Sequence, residues 1–524
     1  MKALYVSKRI ICLIFMLMMA FILINVLVIS NFVDFFTKKS FILPNVFLLI
    51  FGLIAIGVFA IIGSLCKKHY MDKLDFLINR KNIAILSVVG FIIQCYIVYN
   101  IYFLTGWDVN ALFNSAVDFA NGGNIDSRYF SQYPNNIFLI FIYSFVLKIN
   151  NAIGIFPENG GIFSLVVIQC VFAAITAYFV FSISFEFTKN KLISFFAFFT
   201  YSFYICFSPW FSIPYSDATG ILFPIMIFRI WQIAGNSQSK KRKGLLYVAI
   251  GFLSFLAFKI KPQTFIIVIA VIIFDILKIL FLHIKNKKYV FPAIHLSFVF
   301  LAFIVVSLIF SFIINHNNHI NIDKEREYGL PHFLMMGLYE DTQGVWNQED
   351  VDFSGSFHTK KERDEANINV AIERMKKMGF EGLLKHISKK AMLNFGDGTF
   401  AWGIEGNFFL SIQEEKNSVI SPFLRSFYYE DGENYDVFHN VSQMMWLTIL
   451  FLSSFAAVYA LKDGNKEGDE MLVLMLSLIG LFIFETLFEA RARYLFTYAP
   501  IFIICGCVGL YSILKTVKEK RLMK

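Results

Sequence analysis

The sequence has little charge, few cysteines and none of the short motifs that mark soluble-nucleotide enzymes. Only 16% of its 524 residues are charged, whereas 57% are hydrophobic and 18% are aromatic, which excludes an ordinary soluble protein. There is no P-loop, GxGxxG, HExxH or GxSxG, so ATP-driven transport and soluble-nucleotide chemistry lose support. The seven cysteines lie in or at the ends of apolar runs, without a CxxC pair or a Cys/His cluster. Neither a disulfide framework nor a zinc site is therefore predicted.

What the chain has instead is a series of apolar runs long enough to cross a bilayer. This pattern predicts an all-α polytopic membrane protein with about twelve transmembrane helices. The predicted spans are 8–30, 42–65, 83–104, 161–186, 192–208, 217–235, 244–258, 263–282, 290–314, 443–461, 471–489 and 494–514. The N-terminal run continues to Ile29 without a small-residue cleavage site, so we interpret it as an uncleaved first span.

The net charge of +9 comes largely from Lys and Arg in short loops between the apolar runs. That distribution is the positive-inside pattern, which orients a membrane protein and predicts no nucleic-acid partner. The basic loop 66–82, the run Lys240–Lys243, the lysines Lys285, Lys287 and Lys288, and the tail Lys515–Lys524 are assigned to the inside. These assignments agree with each other only if the short apolar run 134–149 does not cross the membrane. We expect a re-entrant or interfacial helix there. The alternative is an ordinary short span, with one loop that breaks the positive-inside rule.

The same topology divides the chain into four regions. Residues 1–82 form two N-terminal spans, 83–315 form a membrane module with an external loop at 105–160, 316–440 form an external domain, and 441–524 form the last spans and a basic tail. Residues 362–393 have apolar positions at helical spacing among many lysines. Such a basic amphipathic helix lies on anionic head groups or binds an anionic acceptor polymer.

Two external carboxylates are the candidate catalytic residues. Asp108 follows Trp107 at the outward end of a span, and Asp217 begins another span on the same side. This pair fits a general base together with a second acidic group that binds a metal or positions the acceptor. The alternative for Asp108 is a solvated carboxylate beside an interfacial tryptophan anchor.

Several polar residues of the same side are candidate substrate contacts. Lys261 precedes the helix-breaking Pro262, and it either faces a lipid phosphate or snorkels to the interface. Arg491 and Arg493 lie in the turn after Glu489, where they either bind phosphate through the guanidinium fork or pair with that glutamate. The remaining candidates are Arg128, Tyr133, Asn135, Asn136 and Tyr494.

In their order along the chain, these motifs resemble the GT-C glycosyltransferases, in particular bacterial relatives of the protein O-mannosyltransferases. The resemblance rests on Asp108, the Tyr133-Pro134 segment, Asp217, Lys261-Pro262-Gln263, the NFGDGTFAWG stretch at 394–403 and the turn Glu489–Tyr494, and it covers roughly 83–510. The family's Tyr-Pro-Pro is Tyr-Pro-Asn here, and a single Asp replaces the double acidic motif of some relatives.

The resemblance implies an inverting hexosyl- or N-acetylhexosaminyltransferase in the cytoplasmic membrane with an outward-facing site. It implies a polyprenyl-phosphate sugar as donor and a cell-wall polysaccharide or teichoic acid as acceptor. Asp108 would be the base, Asp217 the second acidic residue, and Lys261 with the two arginines the phosphate contacts. A divalent cation such as Mg or Mn stays open as a cofactor. A flippase for lipid-linked oligosaccharides and an O-antigen-type polymerase are the alternatives.

Overall fold

The computed structural model describes residues 2–28, 43–155, 161–283, 290–406, 416–462 and 466–522. These residues are almost entirely helical and contain no β-strand, which confirms the predicted all-α class. Lys285, Lys287, Lys288 and the ends of the predicted spans 8–30 and 42–65 lie outside the described residues, as does part of the predicted loop 105–160.

Thirteen α-helices occupy the described part of the chain before the predicted external domain. They are α1 Lys2–Val28, α2 Asn45–Leu77, α3 Arg80–Ile101, α4 Asp108–Ala120, α5 Ser127–Gln132, α6 Ile137–Ala152, α7 Gly161–Thr188, α8 Lys191–Tyr201, α9 Ser216–Gly220, α10 Leu222–Asn236, α11 Lys240–Ile260, α12 Ile266–His283 and α13 Val290–Asn315.

Eight more helices follow in the described residues after α13. They are α14 Leu330–Gly337, α15 Gln348–Gly355, α16 Lys360–Phe395, α17 Ile420–Tyr428, α18 Tyr435–Ser453, α19 Ala456–Lys462, α20 Lys466–Leu487 and α21 Ala499–Leu522. The long helix α16 confirms the helix predicted over 362–393, with a kink at Gly379 where φ is 62°. A glycine tolerates this left-handed backbone because it has no Cβ.

Eleven helical stretches of the described residues are long and apolar enough to cross a membrane. They correspond to α1, α2, α3, α7, α9 with α10, α11, α12, α13, α18 with α19, α20, and α21 with the turn before it. The twelfth predicted span, 192–208, is a shorter apolar helix at Lys191–Cys206 that ends in a π-helical turn.

The centre of the bundle is formed by α7 and α21, which pack against each other. Helix α7 also contacts α3, α8 and α10, whereas α21 also contacts α8, α18 and α19. Most of α21 is buried inside the protein, and most of α2 and α13 is exposed, as expected for helices that face lipid. The result is a helical bundle whose central helices end beside the candidate site.

Both ends of α6 are adjacent to segments that hydrogen-bond to neighbouring parts of the chain. Its first residues adjoin Tyr129 through the Asn136 amide, 2.9 Å from the tyrosine hydroxyl. Near its last turn, Asn151 donates to the side chain of Asn121 across 3.2 Å, and the adjoining loop meets His319, just after α13, through Asn124. That 134–149 does not cross the membrane stays a prediction from the charge pattern.

Candidate functional site

Four interruptions of the helices meet at one end of the bundle. They are Trp107 before α4, Tyr215 before α9, Lys261 between α11 and Pro262, and Arg491 before a 3-10 turn at Ala492–Tyr498. Tyr215, Lys261 and Arg491 all have extended backbone, which for Lys261 follows from the proline after it. Irregular backbone within a membrane protein is tolerated where it is buried or lines a cavity, so this convergence marks a candidate site.

Asp108 lies half-buried in this region and accepts a hydrogen bond. The Tyr215 hydroxyl donates to Asp108 Oδ2 across 2.7 Å, and the Tyr215 ring meets Trp107 edge-on at 4.8 Å. Burial, together with the Asp108 carboxylate, raises the pKa of Tyr129, Tyr133 and Tyr215 above the ordinary tyrosine value. These tyrosines therefore stay protonated and can donate hydrogen bonds toward the carboxylate.

Asp217 and Lys261 form a buried ion pair a short distance from Asp108. The Lys261 ammonium donates to Asp217 Oδ1 and lies 4.8 Å from the Tyr494 ring centroid and 5.8 Å from that of Tyr215. Burial lowers the pKa of Lys261, and the Asp217 carboxylate opposes that shift. Asp217 Oδ2 is buried without a hydrogen-bond partner among the described residues. The pair thus holds the lysine head group in place and leaves one carboxylate oxygen available.

The turn Glu489–Tyr494 brings two arginines to the same place, where they share a glutamate from the segment between α16 and α17. Arg491 Nη1 lies 3.1 Å from Glu405 Oε1, and Arg493 Nε lies 2.9 Å from Glu405 Oε2. Glu489 lies 3.6 Å from Arg491 and accepts a hydrogen bond of 3.1 Å from the Tyr494 hydroxyl. We call Asp217, Lys261, Glu405, Glu489, Arg491 and Arg493 the charged cluster.

Aromatic rings surround the Arg493 guanidinium. Its central carbon lies 4.7 Å from the Trp107 ring centroid, 5.3 Å from that of Tyr215 and 5.4 Å from that of Tyr494. Arg493 Nη1 is buried and has no acceptor among the described residues. A rigid, partly unsatisfied guanidinium in an aromatic setting is suited to bind an anionic oxygen.

Glu405 is positioned by a strained, well-bonded segment over residues 396–406, directly after α16. Phe400 and Ala401 have φ of 56° and 62°, which non-glycine residues rarely adopt. Asp397 compensates by accepting from the Thr399 and Ala401 amides at 2.7 and 2.8 Å. The Trp107 indole N–H donates to the Glu405 carbonyl across 3.2 Å. Such local strain is stored where surrounding contacts enforce it, often at functional sites.

Lys390 on α16 fixes the other side of the turn. Its ammonium donates to the carbonyl oxygens of Gly337, Thr486 and Phe488 at 2.9, 2.8 and 2.5 Å. Burial lowers the pKa of Lys390 to about 7. Lys390 therefore ties α16 to the end of α20 and to the start of the Glu489–Tyr494 turn.

The structure brings most, but not all, of the predicted site residues together. Asp108, Asp217, Lys261, Glu489, Arg491, Arg493 and Tyr494 meet as described above. Tyr133 and Asn136 join the edge of the site through Tyr129, whose ring lies 5.3 Å from that of Tyr133. Arg128 and Asn135 are exposed and lie outside the charged cluster.

Sequence reasoning missed Glu405, Tyr129 and the side chains of Trp107 and Tyr215. Trp107 and Tyr215 flank predicted residues, so proximity in sequence could have identified them. Glu405 follows the NFGDGTFAWG stretch by two residues, but nothing in its local pattern links it to a turn far along the chain. The described residues hold no group of three or more His, Cys, Asp and Glu side chains arranged to bind a metal ion.

The fold and the site define a polytopic helical membrane protein with a buried charged cluster at one end of its bundle. The chain belongs to the family described as conserved hypothetical integral membrane protein, whose model matches residues 3–512. Comparisons with curated proteins and with solved structures found no match.

Proposed function

We propose that the protein is a membrane glycosyltransferase that moves one sugar from a polyprenyl-phosphate donor to a polymeric hydroxyl acceptor. The observation that supports this most is the position of Asp108, a half-buried carboxylate beside a buried cluster that contains Lys261, Arg491 and Arg493. A base next to a phosphate-binding cluster is what glycosyl transfer from a lipid phosphate requires.

In the proposed reaction, Asp108 takes the proton of the acceptor hydroxyl as its oxygen attacks the anomeric carbon. The bond between the anomeric carbon and the phosphate oxygen breaks, and the phosphate leaves with the electron pair. Attack from the face opposite the leaving group inverts the anomeric configuration. Arg493 and Lys261 stabilise the charge that develops on the leaving phosphate.

The other residues have supporting roles in this proposal. Asp217 holds Lys261 toward the phosphate, and Tyr215 orients Asp108 through the 2.7 Å hydrogen bond. Tyr133, with Tyr328 at a ring distance of 5.5 Å, provides aromatic surface at the edge of the site for the acceptor. We propose an external site in the cytoplasmic membrane and a cell-wall glycopolymer as acceptor, in line with the charge pattern of the loops and the resemblance to the GT-C enzymes.

The experiment that tests this proposal incubates purified protein with a polyprenyl-phosphate sugar and candidate acceptors. Transfer of the sugar with release of free polyprenyl phosphate is the expected result. Release of polyprenyl diphosphate from a diphosphate-linked donor would instead identify a polymerase. Arg493→Ala should weaken donor binding, because the phosphate loses a guanidinium.

Transport of a lipid-linked sugar is the second candidate, and the interrupted helices favour it. Broken helices such as those at Lys261–Pro262 and Arg491–Tyr498 also form the substrate sites of secondary transporters. Proteoliposomes that hold the labelled lipid in one leaflet separate the two candidates. Movement of label to the other leaflet without sugar transfer would replace the transferase by a flippase.

A further inference from the structure

Glu405 already occupies the place between the two arginines that an anionic ligand would take. Each of its carboxylate oxygens faces a different guanidinium, at 3.1 Å from Arg491 and 2.9 Å from Arg493. The three side chains are only 10–12% exposed, so solvent screens these charges little. A ligand phosphate that reaches Arg493 must therefore share the site with a fixed negative charge.

The charged cluster offers little surplus positive charge to a ligand. Arg491 faces Glu489 at 3.6 Å in addition to Glu405, and the Lys261 charge is matched by Asp217. The cluster as a whole has three basic and three acidic side chains, and the Tyr494 hydroxyl donates to Glu489. A sugar linked to a lipid through one phosphate is a diester with a single negative charge, whereas a diphosphate link has two.

The backbone around Glu405 holds this negative charge in position. The Trp107 indole N–H bonds to the Glu405 carbonyl, and Asp397 fixes the loop before it by accepting two backbone N–H bonds. The Trp210 indole N–H, at 3.1 Å from both the Thr399 and Phe400 carbonyls, anchors the same loop. Glu405 is therefore a built-in part of the site.

We propose that Glu405 is a specificity-determining residue that makes the site select a lipid-linked monophosphate over a lipid-linked diphosphate. Arg493 Nη1, which is buried without an acceptor among the described residues, donates to an oxygen of the single phosphate. A second phosphate would lie against the Glu405 carboxylate and be repelled. This inference rests on the proposed function, since it concerns the same donor site.

The test measures equilibrium binding of three ligands to the full-length, detergent-purified protein: a polyprenyl-phosphate hexose, a polyprenyl-diphosphate hexose and inorganic phosphate. Wild type should prefer the monophosphate lipid. Glu405→Gln keeps the shape of the side chain but removes its charge, so it should tighten diphosphate binding by on the order of tenfold and monophosphate binding by less. Glu405→Asp keeps the charge and should keep the preference.

Glu433→Gln is the matched control, because Glu433 is an exposed glutamate of the same external segment and should leave the preference unchanged. Arg491→Gln should shift the preference in the opposite direction, and this second test does not require that Glu405→Gln folds. It removes one positive charge and should widen the preference for the monophosphate.

An unchanged preference in Glu405→Gln, or in Arg491→Gln if only that variant folds, would overturn the inference. Inorganic phosphate that binds as tightly as the monophosphate lipid would also overturn it, since the site would then take a free anion. The proposed function fails separately: selective lipid binding without sugar transfer would keep Glu405 as a selectivity residue and remove the transferase.

Discussion

Two ion-pair networks at different ends of the helical bundle differ in how deeply they are buried. At one end, Glu186 pairs with Arg80 and Lys189 at 3.0 and 2.9 Å, with side chains that are 29–57% exposed. At the other, Asp217 and Lys261 pair with side chains only 1% and 6% exposed. The exposed network keeps most of its hydration, whereas the buried pair has lost it.

This difference favours a role other than stability for the buried network. Burial of an ion pair costs desolvation energy that its own attraction often only offsets, so a hydrophobic replacement would serve folding equally well. The charged cluster also leaves Asp217 Oδ2 and Arg493 Nη1 without partners among the described residues. Buried charges with incomplete hydrogen bonding in a membrane protein are expected to have a functional role. Exposed ion pairs carry no such expectation.

The largest effect should come from Asp108. Asp108→Asn keeps the shape and the hydrogen bond from Tyr215 but removes the basicity, so sugar transfer should fall by about 10²–10⁴-fold. Donor binding through Arg493 should remain, because the asparagine leaves the arginines untouched. The measurements are transfer rate and donor affinity at matched membrane expression.

Asp118→Asn serves as control for that change, because Asp118 is exposed on the same helix α4. Near-normal transfer by Asp108→Asn would remove the base from the proposed mechanism. An equal loss in both variants would show that charge on α4, and not the site, is responsible.

Lys261→Met should have the next largest effect, on stability. It leaves the Asp217 carboxylate buried without its counter-charge, which typically costs about 3–5 kcal/mol. Adding Asp217→Asn should recover much of this loss, since no charge then remains buried there. Unfolding in detergent, followed for both single variants and the double variant, measures the recovery. A double variant no more stable than Lys261→Met would mean that the two residues do not act as a pair.

Lys390→Met should change how stability depends on pH. Burial lowers the pKa of Lys390 from 10.5 to about 7, so between these values the unfolded chain binds a proton that the folded chain does not. Stability of the wild type should therefore rise with pH in this window through this residue.

The methionine variant loses that contribution and also leaves three carbonyl groups without their donor, at a cost of about 1–3 kcal/mol. Melting temperatures of both proteins from pH 7 to pH 9, in the same detergent, reveal the difference in slope. If the melting temperatures of the two proteins changed in parallel with pH, Lys390 would not be the source of the pH dependence.

The smallest effect is expected at the opposite end. Glu186→Gln removes ion pairs with the exposed Arg80 and Lys189 and a longer contact of 3.5 Å with the less exposed Arg229, and it should change the free energy of unfolding by about 0–1 kcal/mol. The change should shrink further at high salt, which screens exposed charges. A loss as large as that in Lys261→Met would erase the contrast between the two ends.

Sequence reasoning predicted the main elements because they depend on local properties. Of the twelve spans predicted from the apolar runs, eleven correspond to helices long enough to cross a membrane. The twelfth is the shorter helix at Lys191–Cys206. Apolar residues recur at helical spacing along 109–119, and α4 accordingly buries Val109, Leu112 and Phe113 and exposes Asp118. Asp108, Asp217, Lys261 and the Glu489–Tyr494 turn lie near each other in the structure, and their roles and their external position stay predictions.

What the sequence by itself determined is thus the membrane class, the positions of the helices and the side of the bundle on which polar residues gather. These follow from run length, which bilayer thickness sets, and from the charges of short loops. Only the tertiary structure decided that Glu405 lies between Arg491 and Arg493 and that Tyr215 bonds to Asp108. Such pairings depend on how distant helices and loops pack against each other, and no local pattern of residues encodes which of many acidic side chains will meet a given arginine.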